Sequence, residues 1–119
     1  MKKINILKEN KDFSRIVKQS SPIKYKGFLL YIEDGTNDVY KFGISVSKKL
    51  GNAVIRNKIK RQVRSIIDKK HYKNNFNCII IIRKSYLDLN YNNNEEHLLY
   101  ILNKNNLIEK GENYEEKNK

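Results

Sequence analysis

Apolar and polar positions change period several times along this chain, and each change marks an element. Asn10 as N-cap, Asp12 in a first turn, and Phe13, Ile16 and Val17 on one face predict a short first helix, stopped by Ser20-Ser21-Pro22. A short strand is expected at residues 23–26 and a second at 27–32. A turn follows over 33–38, then a strand over 39–46 in which Tyr40, Phe42, Ile44 and Val46 alternate with Val39, Lys41, Gly43 and Ser45. The strands flanking that turn are expected to pair as a hairpin. Residues 52–69 return to helical period, entered through Gly51 with Asn52 as N-cap. A loop over 71–77 leads to Cys78-Ile79-Ile80-Ile81-Ile82, an unbroken apolar run expected to be a central strand buried on both faces. A last helix over 94–105 would pack through Leu98, Leu99, Ile101 and Leu102, and the charged residues beyond Glu109 would form a disordered tail.

The helix at 52–69 is the most informative of these elements. At about 100° per residue, Ile55, Ile59, Val63 and Ile66 share one side, while Arg56, Asn57, Lys60, Arg61 and Arg64 share an adjoining one. Between Lys48 and Lys70 the sole acidic residue is Asp68. Like charges at helical spacing cost a few tenths of a kcal/mol per pair, a repulsion that a bound polyanion relieves. Guanidinium forks suit phosphate oxygens, and Asn57 can both donate and accept hydrogen bonds, or instead hold the helix against the preceding loop. Basic amphipathic helices also occur as solvated faces or on membrane surfaces. Here the apolar stripe is β-branched and the helix lies between two strands, which favours a helix packed on a core.

Composition extends the same reading to the whole chain. The 119 residues carry 25 Lys+Arg against 13 Asp+Glu, a net charge of +12, so attraction to polyanions is general rather than local. Part of this excess accompanies an abundance of Asn, Lys and Ile of the kind an AT-rich coding bias produces. The length fits a single domain. No apolar run has membrane-spanning length, and the basic start Met1-Lys2-Lys3 is not followed by a signal-peptide core, so a soluble, cytoplasmic protein with no membrane partner is expected. Cys78 is the one cysteine and lies within an apolar run, as a buried thiol would. His71 and His97 are isolated, and no spacing of acids, histidines or nucleophiles marks a catalytic site.

Residues 48–61, Lys-Lys-Leu-Gly-Asn-Ala-Val-Ile-Arg-Asn-Lys-Ile-Lys-Arg, closely resemble the signature helix of the bacterial ribonuclease P protein family, and the order of elements over residues 1–108 is similar too. The family's Arg-Asn-Arg core stands here as Arg56-Asn57-Lys58, with Lys58 projected to the flank of the helix. The resemblance implies an α+β fold, a two-layer sandwich of helices on a four-stranded mixed sheet in the order αβββαβα, with a left-handed βαβ crossover (ribosomal protein S5 domain 2-like). It implies one domain over 1–108 and a tail over 109–119. It also implies the RNA-binding protein subunit of an endoribonuclease that removes the 5′ leader from precursor tRNA. The hydrolysis would be carried out by the catalytic RNA with Mg2+, and the partners would be that RNA and the single-stranded leader, not DNA. On this reading Lys48, Lys49, Asn52, Arg56, Asn57, Lys58, Lys60, Arg61 and Arg64 bind RNA. Phe13, Val17 and Tyr31 line a cleft for the leader, with Val17 where the family commonly has an aromatic. Phe13 and Tyr31 have plainer roles available: Phe13 as core, Tyr31 as a half-exposed sheet residue. A ribosome- or translation-associated RNA-binding protein, or a basic nuclease acting alone, are the alternative classes.

Overall fold

The computed structural model describes residues 1–8, 11–34 and 38–110. Its elements are α1 (Lys11–Gln19), β1 (Ile23–Tyr25), β2 (Phe28–Asp34), β3 (Tyr40–Ser45), α2 (Ala53–Ile67), β4 (Phe76–Ile82) and α3 (Tyr91–Lys104). The proposed cap Asn10, the tip of the 33–38 turn and residues 111–119 of the expected tail lie outside the described residues.

One mixed sheet has the order β1-β2-β4-β3. The apolar run is its centre: β4 pairs antiparallel with β2 (Tyr31 opposite Ile79) and parallel with β3 (Gly43 opposite Ile79). The expected hairpin between the second and third strands is therefore not formed. Cys78, Ile79 and Ile80 are apolar toward both faces and fully buried, and only an interior position hides such a strand. β4 accordingly separates β2 from β3, and β3 reaches it through α2 in a parallel crossover. The hairpin that does form joins β1 to β2 across Lys26-Gly27, with Lys26 at φ 51°.

α2 and α3 cover one face, where Phe28, Leu30, Phe42, Cys78 and Ile80 meet Ile59, Val63, Ile66, Leu98 and Leu102. Burial of each large apolar side chain in this layer is worth about 1.5–3 kcal/mol. Tyr40, Phe42, Tyr72 and Phe76 close its end as a ring cluster, with Phe42 and Tyr72 4.9 Å apart. α1 lies on part of the opposite face, where Leu7, Phe13, Ile16 and Ile79 form a smaller cluster. The amino-terminal segment runs beside β3: Ile6 bridges Phe42 in parallel, and the Leu7 amide donates to the Phe42 carbonyl at 2.9 Å.

Two helix details differ from expectation. Ile55 does not join the buried stripe; it is 40% exposed, and its side chain turns back on Gly51 at the helix entrance. The last helix begins at Tyr91, three residues before the expected start, because Asn90 caps it by accepting from the Asn93 amide at 2.8 Å.

Candidate RNA-binding surfaces

The strand-to-helix turn before α2 is built by its own polar side chains. Ser47 Oγ accepts from the Lys49 amide at 3.1 Å, and Asn52 Oδ1 caps α2 by accepting from the Ile55 amide at 3.0 Å. Gly51 holds φ 152° between them, and a Cβ there would meet Ile55 at 2.9 Å. Arg56 Nε donates to the Gly51 carbonyl at 3.2 Å, so this guanidinium is tethered to the turn it follows. Asn52 thus spends its carbonyl on the cap.

The remaining cations fan around α2. Lys48, Lys49, Asn57, Lys58, Arg61 and Arg64 are exposed, and Arg56 and Lys60 are half-buried. Lys58 stands beside Ile55, Gln62, Leu87 and Tyr91, on the flank toward α3, as its projection implied. Lys60 and Arg64 face the other way and share a groove with Lys8, Ile6 and Phe42. Lys8 is a cation that helical projection could not add, because pairing of the amino-terminal segment with β3 brings it there. The acid nearest in sequence, Asp68, is held by the Met1 ammonium at 2.8 Å. Lys69 pairs with Glu95 of α3. Among the described residues no carboxylate forms an ion pair with Lys58, Lys60, Arg61 or Arg64.

The second surface is the sheet face that α1 partly covers. Phe13, Val17 and Tyr31 come together there around Ile79 and Ile81. Phe13 is 9% exposed and lies on Gly43, where a Cβ would come within 2.9 Å of its Cε2. Val17 and Tyr31 remain half-buried at the margin of the helix. The next row of the sheet, Lys24, Leu29, Ile81 and Ser45, continues the shelf past Tyr31. Behind it Arg15 of α1 holds Glu33 in a two-pronged ion pair, and Asn77 Nδ2 donates to Glu33 Oε1 at 3.1 Å. The Arg15 hydrogen bond, more than partial burial or the Asn77 bond, sets the direction: the Glu33 carboxyl is held below its ordinary value. Sequence spacing marked neither Arg15 nor Asn77, since one faces out of an amphipathic helix and the other sat in an expected loop.

Three further titratable groups, Cys78, Tyr72 and Tyr86, are packed into the core around the sheet. Burial pushes the Cys78 thiol and the Tyr72 phenol well up, and the Tyr86 phenol up to about 12 while it donates to Gln62 Oε1 at 2.8 Å. Among the described residues no three His, Cys, Asp or Glu side chains gather as a metal site.

An acid-free cationic helix carried by a mixed sheet, with an apolar shelf on the far side of that sheet, is the build of a nucleic-acid-binding protein. The ribonuclease P family model matches residues 1–106. The ribonuclease P protein component of Mycoplasma capricolum is 41% identical over 99 residues, covering 76% of this chain and 86% of that protein. That of Streptococcus pneumoniae is 36% identical over 121 residues, covering 100% and 98%. The solved RNase P protein of Staphylococcus aureus superposes with a TM-score of 0.78 at 34% identity, covering 88% of this chain and 98% of that one. The Thermotoga maritima RNase P protein gives 0.73 at 28% identity, covering 82% and 94%. The chain belongs to the ribonuclease P protein family, whose members are RNA-binding subunits of a tRNA-processing ribonucleoprotein, and the ribosome-associated alternative is not favoured.

Proposed function

We propose that the protein docks on the catalytic RNA of ribonuclease P through α2 and receives the single-stranded 5′ leader of precursor tRNA on the α1 shelf. The observation that carries this reading is the division of labour between the two sides of the sheet. On one side Arg56, Lys60, Arg61 and Arg64 present positive charge that no carboxylate among the described residues neutralises. On the other, Val17 and Tyr31 leave apolar surface beside Phe13, suited to unstacked bases. Lys48, Lys49, Asn57 and Lys58 extend the cationic side. Asn52 supports it by shaping the turn, and Phe13 supports the shelf as packing under it.

The chemistry is assigned to the RNA. Magnesium in this reading is held chiefly by RNA phosphates. The protein lowers the ion requirement by neutralising backbone that cations would otherwise screen. Residues 1–108 form the working unit, and the cytoplasm is its compartment. The deciding experiment is cleavage of precursor tRNA by the purified protein with and without catalytic RNA across a magnesium series. The protein alone is expected to be inert, and the complex is expected to work at lower magnesium than the RNA alone. Cleavage by the isolated protein at the rate of the complex would overturn the assignment.

A further inference from the structure

A third surface lies where β1 meets α3, on the face of the sheet opposite the α1 shelf. β1 is an edge strand, at the end of the sheet opposite β3 and the groove of Lys60 and Arg64. There Tyr25 leans against α3, its ring 5.1 Å from that of Tyr100 and inclined by 34°. Tyr100 is 49% exposed and Tyr25 is half-buried, so the two rings form an open ledge instead of a core pair. Each ring has its own cation: Lys26 Nζ lies 5.8 Å from the Tyr25 centroid, and Lys104 Nζ lies 5.8 Å from that of Tyr100. His97 meets Tyr25 edge-on at 6.0 Å, and its Nδ1 is buried with no hydrogen-bond partner.

The ledge is held in place. The Lys26 carbonyl accepts from Arg83 Nη1 at 2.6 Å and from Ser85 Oγ at 3.2 Å, which pins the β1–β2 turn under the rings. Tyr100 and Lys104 are one turn apart on α3, a helix capped at Asn90. The nearest acid on the helix surface is Glu96, one turn before Tyr100.

We infer that the Tyr25–Tyr100 ledge, with Lys26 and Lys104, is a binding site for an unpaired nucleobase of RNA, separate from the α2 face and the α1 shelf. A base can stack on a half-exposed tyrosine irrespective of its identity, and the ammonium that lies over each ring is carried on a flexible four-carbon stem that lets it move from the ring to a flanking phosphate. The open edge of β1 offers further backbone groups to a base edge. Two rings make too small an apolar area for a stable protein interface, and the cations at the ledge, Lys26 and Lys104 at the rings with Lys70 in the groove beside Tyr100, outnumber the one acid there, Glu96.

The test is photo-cross-linking of the full-length chain to a uridylate hexamer carrying one 4-thiouridine, with cross-linked peptides mapped by mass spectrometry. Peptides containing Tyr25 and Tyr100 are expected to be labelled alongside those of α1 and α2. Tyr100→Ala should lower the yield at the ledge about tenfold, Tyr100→Phe should keep it, and labelling of α1 and α2 should be unchanged in both. The Lys26→Glu/Lys104→Glu pair, which leaves the rings in place, should also reduce it. Label confined to α1 and α2 peptides in the parent protein overturns the ledge while leaving the proposed function standing. So does ledge labelling that survives Tyr100→Ala.

Discussion

Phe13 and Gly43 are in such close contact that the glycine's missing side chain is part of the packing: a Cβ at Gly43 would sit 2.9 Å from Phe13 Cε2 and 3.1 Å from the Leu7 carbonyl oxygen. The aromatic ring of α1 and the backbone of β3 therefore set how closely the helix approaches the sheet. Gly43→Ala should push α1 outward and destabilise the protein by about 1–3 kcal/mol, the usual range for overpacking. Urea unfolding would measure it. The reciprocal change Phe13→Ala should also destabilise, by opening a cavity, and the double variant should cost less than the sum of the two.

The Arg15–Glu33 pair gives a pH signature. The Glu33 carboxyl is lowered in the folded state, so its stabilising contribution is fully present above its unfolded value, about 4.3, and is lost as pH falls through the folded value. Part of the acid limb of the melting-temperature profile should belong to this one group. Glu33→Gln should flatten the limb and leave the neutral region less affected, and a profile that keeps its slope in the variant would remove Glu33 from the account.

α2 and β4 were legible because their signals are local. Ile59, Val63 and Ile66 repeat at helical spacing behind Asn52, and five consecutive apolar residues from Cys78, four of them β-branched and too few for a helix, read as a strand buried on both faces. Strand pairing was not legible. Glu33 to Asp38 carries ordinary turn residues, yet β2 and β3 stand apart because a strand that arrives forty residues later takes the place between them. The site divides along the same line. The cations of α2 follow from one helix, whereas Lys8 joins them only through pairing of the amino-terminal segment with β3, and Phe13 is roofed over only because Gly43 lets it close down. Ile55 shows the converse: its helical phase is apolar, but Gly51 instead of the sheet lies beneath it.

Charge should dominate the affinity for RNA. If α2 and Lys8 together meet roughly five phosphates, log affinity should fall against log salt with a slope of about −3.5 for single strands to −4.5 for duplex. Lys8→Ala should make the slope shallower by about 0.7–0.9 if its phosphate lies in the groove with Lys60 and Arg64. A filter-binding titration over several potassium concentrations reads both values, and an unchanged slope would take Lys8 out of the RNA contact.

The α1 shelf and the α2 face should separate cleanly by substrate. Tyr31 is half-buried beside Val17 and Ile81, and its removal exposes the shelf without disturbing the cap at Asn52 or the tether between Arg56 and Gly51. Tyr31→Ala should cost about 1–3 kcal/mol in binding precursor tRNA to the assembled complex and almost nothing for mature tRNA, which has no leader to stack. Arg61→Ala should instead weaken assembly with the catalytic RNA, because the exposed guanidinium that the proposed function sets against phosphate is lost whatever the substrate. Val17→Phe should act opposite to Tyr31→Ala, adding a ring at the shelf margin and tightening precursor binding alone. Equal losses for precursor and mature tRNA in Tyr31→Ala, with the circular dichroism spectrum intact, would mean that this sheet face does not hold the leader.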